Sequence, residues 1–374
     1  MLRPSAAAAL GARPTAHRQA FTAGILWFHD RQRPLEPKTR DMRLAITIDT
    51  EADDQWQHGT PISTRNVGYW EPFQEICEKH GAAPTYLVTS EIVEDESARR
   101  LLTEWSRRGA AEIGAHLHVW TTPPYAERPG LRYNDSTHAF AAQLPDELLG
   151  EKTRVLTEQI AGAFGERPTS YRAGRFGFDQ RGARFLAEAG YKVDSSVTPG
   201  WSWKKHAGLD GAGGPDFSAH TPQPFLVESS GAPGLLEIPV TILSTYALLR
   251  RWPSLMTLYR SLPVRAVRKL LLSRWLQPQP MWLSPDPRYR VSDLESVWRC
   301  AVKADLVTTV MMFHSSELMP GGSPFRPDRE SVRELLATVD AFLGFVRRSS
   351  GEIQTLTAMA DALTAEKRLP VRAL

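Results

Sequence analysis

The chain has 374 residues, of which 42% are hydrophobic, 23% charged and 9% aromatic, a composition that excludes a disordered tail, a collagen-like repeat and a small disulfide-rich scaffold. Its 45 Lys and Arg residues against 42 Asp and Glu residues leave a net charge of +3, so nucleic acid is not an expected partner. The two cysteines, Cys77 and Cys300, favour a reducing compartment. No stretch approaches the roughly 18 apolar residues of a membrane-spanning helix, and we expect a cytoplasmic protein.

Residues 1–41 are rich in Ala, Arg and Pro and show no sustained periodicity. The apolar patch at residues 6–10 is shorter than the core of about 7–15 residues in a secretory signal, and Arg13 interrupts it. We therefore expect residues 1–41 to be a disordered tail or an over-extended gene start ahead of Met42, with a transit-like peptide as the less favoured alternative.

From Leu44 onward, short apolar runs alternate with longer segments of helical period, which is typical of βα units around a parallel sheet. The predicted strands cover residues 44–48, 84–89, 111–116, the region of 171, 191–194, 235–241 and 306–313. The predicted helices cover residues 71–80, 94–108, 146–164, 179–190, 292–303 and 328–348. About seven strands separated by helices predict a closed or nearly closed (β/α) barrel over residues 42–374, with its site at the C-terminal strand ends.

Residues 245–290 break this alternation and are predicted to be a basic insertion. Seven basic residues and no acidic residue lie from Arg250 to Arg274, interleaved with leucines and valines. Such a segment either lies on an anionic membrane surface or packs on the barrel with a solvated basic face, and the pattern leaves both open.

Pairs of polar residues follow two of the predicted strands. Asp49 and Glu51 come after the first, and His116 and His118 come at the end of the third. Side chains two apart on an extended chain point to the same side, so each pair can face one cavity. Two imidazoles and one carboxylate are a common site for a catalytic divalent ion.

Further candidates follow other strands. His314 comes directly after the apolar run 306–313, and Arg172 and Arg175 flank the fourth predicted strand. An arginine beside buried carboxylates would hold them ionised and oriented, whereas the ordinary alternatives are a structural histidine and surface salt bridges. Asp53 and Asp54 are alternative carboxylate ligands to Glu51.

Five motifs together resemble those of the NodB-homology polysaccharide deacetylases, carbohydrate esterase family 4, and are most similar to the WalW-like branch. The motifs are ITIDTE, EIGAHLH, YRAGRFG, VDSS and MMFHSSEL, in the family's order over about residues 43–320. The resemblance implies a distorted (β/α) barrel of about seven strands. It also implies a metal-dependent hydrolase that removes acetyl groups from N-acetylated sugars.

The resemblance also assigns roles to individual residues. It implies that Asp49 is the catalytic base, that Arg172 positions this base and that His314 is the general acid. The implied metal ligands are Glu51, His116 and His118. Zinc is the expected metal.

The substrate is expected to lie beside these groups. The resemblance places Asp194 in the motif that supports the site and its groove, and we expect backbone N–H groups near Arg175 and Phe176 to face the reacting carbonyl. Trp120 is a candidate for stacking on a sugar face. The expected partner is an N-acetylated glycan or a lipid-linked saccharide precursor, with residues 250–274 as a contact to an anionic membrane.

The chain departs from the commonest family pattern at three positions. Thr50 stands where the family has a second consecutive aspartate, Trp120 where it has a histidine, and Gly174 where it has a proline. These departures leave open a catalytically degenerate, glycan-binding protein on the same scaffold. An amidohydrolase-type barrel also uses an H-x-H pair, but places it after its first strand.

Overall fold

The computed structural model describes residues 42–53, 55, 62–125, 127–128, 131–132, 138–228, 234–245, 279–366 and 369–374. The predicted tail 1–41 and the basic residues 250–274 lie outside the described residues, as does Asp54.

The strands in chain order are β1 (Arg43–Thr50), β2 (Thr85–Val88), β3 (Glu112–Leu117), β4 (Glu127–Arg128), β5 (Leu131–Arg132), β6 (Ser170–Ala173), β7 (Val193–Asp194), β8 (Phe225–Val227), β9 (Leu236–Glu237), β10 (Ile242–Thr245), β11 (Gln279–Trp282), β12 (Thr308–His314), β13 (Glu352–Ile353) and β14 (Val371–Arg372). The helices are α1 (Glu71–Lys79), α2 (Ser90–Glu94), α3 (Glu96–Arg107), α4 (Asp146–Phe164), α5 (Gln180–Ala189), α6 (Val291–Lys303), α7 (Arg329–Arg348) and α8 (Leu356–Ala365).

A parallel path of strands forms the centre of the molecule, in the order β12, β1, β2, β3, β6, β7 and β9. Beyond it, β8 runs antiparallel to β9 and β14 parallel to β8. The prediction of a distorted (β/α) barrel of about seven strands is confirmed. Because the strands of this path are parallel, their carboxyl ends lie at one mouth of the barrel.

Irregular segments bring the two ends of the sheet together. Thr241, which follows β9, accepts the backbone N–H of Val310 on its Oγ1 at 2.8 Å and donates its own N–H to the Val310 carbonyl at 3.3 Å. The carbonyl of Leu283, just after β11, accepts the N–H of Met312 at 3.1 Å. The backbone groups at the free edge of β12 are therefore hydrogen-bonded by single residues and not by a further strand, and this irregular closure distorts the barrel.

The barrel interior explains where the polar strand ends point. Ala45 and Val310 belong to a small buried cluster whose apolar base is supplied by α8, a helix that the sequence patterns did not indicate. Asp49 lies four residues after Ala45 and His314 four residues after Val310, so each shares the inward face of its strand. Both side chains are thus directed to the mouth opposite α8.

Candidate active site

Strand register brings four of the predicted residues together. Asp49 pairs with His314 across β1 and β12, and His116 pairs with Arg172 across β3 and β6. Asp49, His116 and Arg172 are each at most 2% exposed. The mouth of the barrel therefore carries a buried polar cluster.

The Asp49 carboxylate is held by Arg172. Its Oδ1 accepts a hydrogen bond from Arg172 Nη1 at 2.6 Å, and its Oδ2 lies 3.9 Å from His116 Nε2. Burial raises the pKa of Asp49, but the positive charge of Arg172 and the nearby imidazoles outweigh it, so this pKa lies below its ordinary value. Asp49 is therefore ionised at neutral pH.

Arg172 is oriented by the segment that follows β7. Its Nε donates to the Ser195 carbonyl at 2.8 Å and its Nη2 to Ser195 Oγ at 3.0 Å. With the bond to Asp49, three of its nitrogen atoms have fixed acceptors. The guanidinium plane is thereby set relative to the carboxylate.

Glu51, His116 and His118 form a cluster of facing ligand atoms. Glu51 Oε2 lies 3.1 Å from His118 Nε2 and 3.8 Å from His116 Nε2, and one ligand atom of each residue lies within 4.8 Å of the others. All three residues are buried. The structure thus places the three predicted ligands in a single compartment.

The protonation of this cluster suits a cation. His116 Nδ1 lies 2.9 Å from the Arg172 carbonyl, which can only accept, so Nδ1 carries the proton and the Nε2 lone pair faces Glu51. Burial lowers the pKa of His116 and of His118 to about 4, which keeps both rings neutral, and raises the pKa of Glu51 to about 7. Two neutral imidazoles and one carboxylate are the donor set expected of a divalent transition metal.

The alternative ligand Asp53 is already saturated. Its two oxygens accept hydrogen bonds from the backbone of Arg65 and Asn66, from the Asn66 amide, from Ser63 Oγ and from Arg65 Nε, at 2.7–3.3 Å. Asp53 therefore holds the 3-10 turn Arg65–Tyr69 in place. Of Glu51 and Asp53, Glu51 is therefore the carboxylate that clusters with the two imidazoles.

His314 lies on the strand next to that of Asp49. Its imidazole is paired with Glu317, and Glu317 is in turn paired with Arg326. His314 Nδ1 lies 3.3 Å from Glu317 Oε1, and Glu317 Oε2 lies 3.7 Å from Arg326 Nε. Burial lowers the pKa of His314, but the charge of Glu51 and the hydrogen bond with Glu317 outweigh it and raise the pKa to about 9. His314 is therefore protonated at neutral pH.

Arg175 and Phe176 occupy a turn with positive φ, 53° and 58°. The Arg175 guanidinium donates to the carbonyls of His138 and Ala207 and lies 4.1 Å above the Phe140 ring. Arg175 thus ties together the loops that border the mouth of the barrel.

Phe176 belongs to what we call the aromatic cluster, formed with Trp201, Trp203 and Trp282. Its ring centroid lies 5.3 Å from that of Trp203 and 5.6 Å from that of Trp282, and Trp201 contacts both tryptophans. The three tryptophans are partly exposed. Their rings give this border an apolar face of the type that stacks on sugars.

Trp120 is partly exposed and packs beside the ligands. Its ring stacks on His118 at 4.3 Å and on His138 at 4.1 Å, and its Nε1 donates to Gln55 Oε1 at 3.2 Å. This packing supports the His118 ring. That Trp120 also stacks on a sugar stays a prediction.

Asp194 is completely buried, with both carboxylate oxygens accepting from Ser196. The residue after it, Ser195, binds Arg172, and Ser196 binds the backbone next to Arg172. Asp194 therefore supports the placement of Arg172. The sequence-based expectation that Asp194 supports the site and its groove stays a prediction.

Two buried residues near the ligands were not singled out from the sequence. Lys152 is fully buried on α4, and its Nζ donates to the carbonyls of Val119, Thr122 and Pro124 in the turn after His118. Glu91 accepts the N–H of Ala52 at 3.4 Å, directly after Glu51. A charged residue on the apolar stripe of the predicted helix 146–164 was the available signal for Lys152.

Comparisons with known proteins support the fold. No family model matches the sequence, and no curated protein matches it significantly. Forty chains of solved structures do match. A protein from Mycobacterium smegmatis assigned as a polysaccharide deacetylase is 16% identical, with a TM-score of 0.51 over 90% of this chain and 95% of that chain.

Two more distant structures show the range of these matches. A family 4 carbohydrate esterase from Streptomyces lividans, solved with acetate, is 8% identical, with a TM-score of 0.38 over 84% of this chain and 93% of that chain. A family 4 pseudoenzyme from Bacillus anthracis is 8% identical, with a TM-score of 0.41 over 87% and 66%. These likenesses concern the fold alone and do not bear on the WalW-like branch. Separately, none of the described helices is long and apolar enough to cross a membrane.

Proposed function

We propose that this chain is a metal-dependent hydrolase that removes N-acetyl groups from sugars. The observation that carries the proposal is the placement of an ionised Asp49 and a protonated His314 on neighbouring strands, beside the cluster of Glu51, His116 and His118. A base and an acid with separated charge states, next to a cation site, are the parts that amide hydrolysis needs.

Glu51, His116 and His118 would hold the divalent cation, with zinc the expected ion. When bound, such a cation polarises a carbonyl and lowers the pKa of a coordinated water. The side chains of this chain supply the proton transfers. The side chains that transfer these protons all lie at the mouth of the barrel.

Asp49 accepts a proton from the attacking water while the water oxygen bonds to the acetamide carbon. Arg172 keeps the carboxylate ionised before this step and fixes its direction. His314 then donates its proton to the nitrogen as the carbon–nitrogen bond breaks, which releases acetate and the free amine. Glu317 stabilises the charged form of the imidazole before the transfer.

The aromatic cluster supports a sugar as the substrate, since its partly exposed tryptophans lie beside Phe176 at the border of the site. The finer expectation of a lipid-linked saccharide has no support among the described residues, and the membrane contact expected with it falls on residues 250–274, outside the described part of the chain. We therefore propose an N-acetylated glycan without further definition.

Acetate release from N-acetylglucosamine oligosaccharides by the zinc-loaded protein tests this function. Wild type is expected to release acetate, and Asp49→Asn to release it at least about 100-fold more slowly while retaining its zinc. The surface variant Asp361→Asn, whose carboxylate pairs with Lys192, is the matched control and should behave as wild type. A folded, zinc-loaded wild type that releases no acetate from any N-acetylated oligosaccharide would favour the glycan-binding alternative.

A further inference from the structure

Two acidic residues face each other in the interior behind Arg172. Asp194 on β7 and Glu237 on β9 are register partners in the parallel sheet, and both are completely buried. Their side chains interact with each other, and Glu237 Oε2 is buried and receives no hydrogen bond from a donor of the described residues. A hydrogen bond between two carboxyl groups requires one proton between them, because two carboxylates offer only acceptors.

The surroundings of the two groups agree with one shared proton. Burial raises the pKa of Asp194 and that of Glu237, and each carboxyl group also interacts with the charge of Arg172. Arg172 already donates to Asp49 and Ser195. Asp194 is also paired in register with Tyr171 on β6, whose buried phenol is a further titratable neighbour. The buried pair of Asp194 and Glu237 therefore carries one negative charge and not two.

The remaining hydrogen bonds of the two residues hold the segment that orients Arg172. Asp194 accepts from Ser196 N at 2.9 Å and from Ser196 Oγ at 2.7 Å, and Glu237 Oε1 accepts from Val197 N at 3.0 Å. Ser196 Oγ in turn accepts the N–H of Ala173, next to Arg172, at 2.8 Å. Hydrogen bonds to Asp194 and Glu237 thus hold the backbone of residues 195–197 in place, while Ser195 binds the Arg172 guanidinium.

We propose that Glu237 is a positioning residue, which shares one proton with Asp194 and thereby holds residues 195–197 so that Arg172 points its guanidinium at Asp49. This inference rests on the proposed function for its catalytic consequence. Its structural content, a protonated acid behind Arg172, stands independently of any activity.

Two isosteric variants separate this role from simple packing. In Glu237→Gln the amide oxygen can still accept from Val197 N, and the amide N–H can donate to an ionised Asp194, so no shared proton is needed. In Asp194→Asn the amide nitrogen replaces one of two oxygens that both accept from Ser196, so one of those bonds is lost. The side-chain volumes are nearly unchanged in both.

The kinetic expectation therefore distinguishes the variants. Glu237→Ala, which leaves Val197 N without its acceptor, and Asp194→Asn should each lower kcat by at least about tenfold with little change in KM, since a buried hydrogen bond that holds residues 195–197 is lost, whereas Glu237→Gln, which keeps the acceptor, should recover most of that loss. Glu112→Ala is the matched control, because Glu112 bonds Thr85 and Thr357 at the opposite end of the barrel. It should lose stability and keep kcat.

Two measurements without substrate complete the test. Infrared difference spectra of the zinc-loaded proteins at neutral pH, with Glu51 held as a ligand, should show the carbonyl stretch of a protonated acid in wild type that is missing from Glu237→Gln. Nitrogen-15 NMR should show an Arg172 Nε–H that resists solvent exchange in wild type and Glu237→Gln and exchanges faster in Asp194→Asn. Absence of the infrared band, or equal exchange in both variants, would overturn the proposal; absence of acetate release in wild type would instead overturn the proposed function alone.

Discussion

Asp49 and His314 occupy the same rung of two adjacent parallel strands, yet they carry opposite charges. Arg172 stabilises the carboxylate from one side, and Glu317 stabilises the imidazolium from the other. The two groups therefore keep separate partners although their backbones are hydrogen-bonded neighbours. This separation allows one residue to receive a proton while the other still has one to give.

Asp49→Asn should reduce acetate release by about 10²–10⁴-fold, the usual contribution of a general base. The amide can still accept one hydrogen bond from Arg172 but cannot take a proton from water. Initial rates on an N-acetylglucosamine oligosaccharide and zinc content by elemental analysis measure the two effects. A rate close to wild type would exclude Asp49 as the base.

His116→Ala and His118→Ala should each lose bound zinc, because each removes one of three ligand groups in a closed cluster. Elemental analysis after dialysis gives the metal-to-protein ratio. His80→Ala is the control, since His80 bonds Asp340 on the outside of the barrel and should leave the ratio unchanged. An unaltered ratio in the first two variants would contradict the ligand assignment.

The free energy of unfolding should fall more steeply with pH in wild type than in Glu237→Gln. Burial raises the pKa of Glu237 in the folded state, so above the ordinary pKa of a glutamate the folded chain binds more protons than the unfolded chain. The stability that this proton supplies is present at low pH and is lost as the pH rises toward the folded pKa. The expected difference in slope is about 1.4 kcal/mol per pH unit, measured by urea unfolding from pH 5 upward. Parallel slopes would contradict a protonated Glu237.

Lys152→Met should destabilise the fold and weaken zinc binding together. The variant leaves three carbonyls of the turn after His118 without their donor, and each buried unsatisfied group costs about 1–3 kcal/mol. Thermal unfolding and zinc titration monitor the two effects. Lys192→Met, which removes a surface pair with Asp361, should leave both near wild type. A Lys152 variant with normal zinc affinity would show that the turn holds His118 without this lysine.

The site residues at the ends of the strands could be predicted from the sequence, whereas the buried residues that hold them in place could not. The spacing of two between Asp49 and Glu51, and between His116 and His118, follows from strand geometry, so their meeting at one mouth could be expected. Glu237 could not be recognised in the same way, because it looks like an ordinary polar residue in an apolar run, and the place of Lys152 on an apolar stripe marks a buried charge without indicating what it binds. Their roles depend on which strand or loop lies next to them, and a single sequence does not carry that information.

The packing of Trp120 could not be predicted for a related physical reason. Its position after His118 indicated that it lies beside the site, but residue spacing does not say which rings contact it. In the folded chain His138, eighteen positions further along, stacks on its ring. Helix α8 was missed as well, because its largely apolar sequence lacks the polar face by which a surface helix is recognised.

The way the barrel closes bears on the stretch between β10 and β11. Thr241 and Leu283 flank that stretch, and both are bonded to β12, the strand that ends in His314. Thr245 and Gln279, the described residues on either side of positions 246–278, are paired with each other. Loss of this pairing would therefore weaken the backbone contacts of β12 and, through them, the placement of His314.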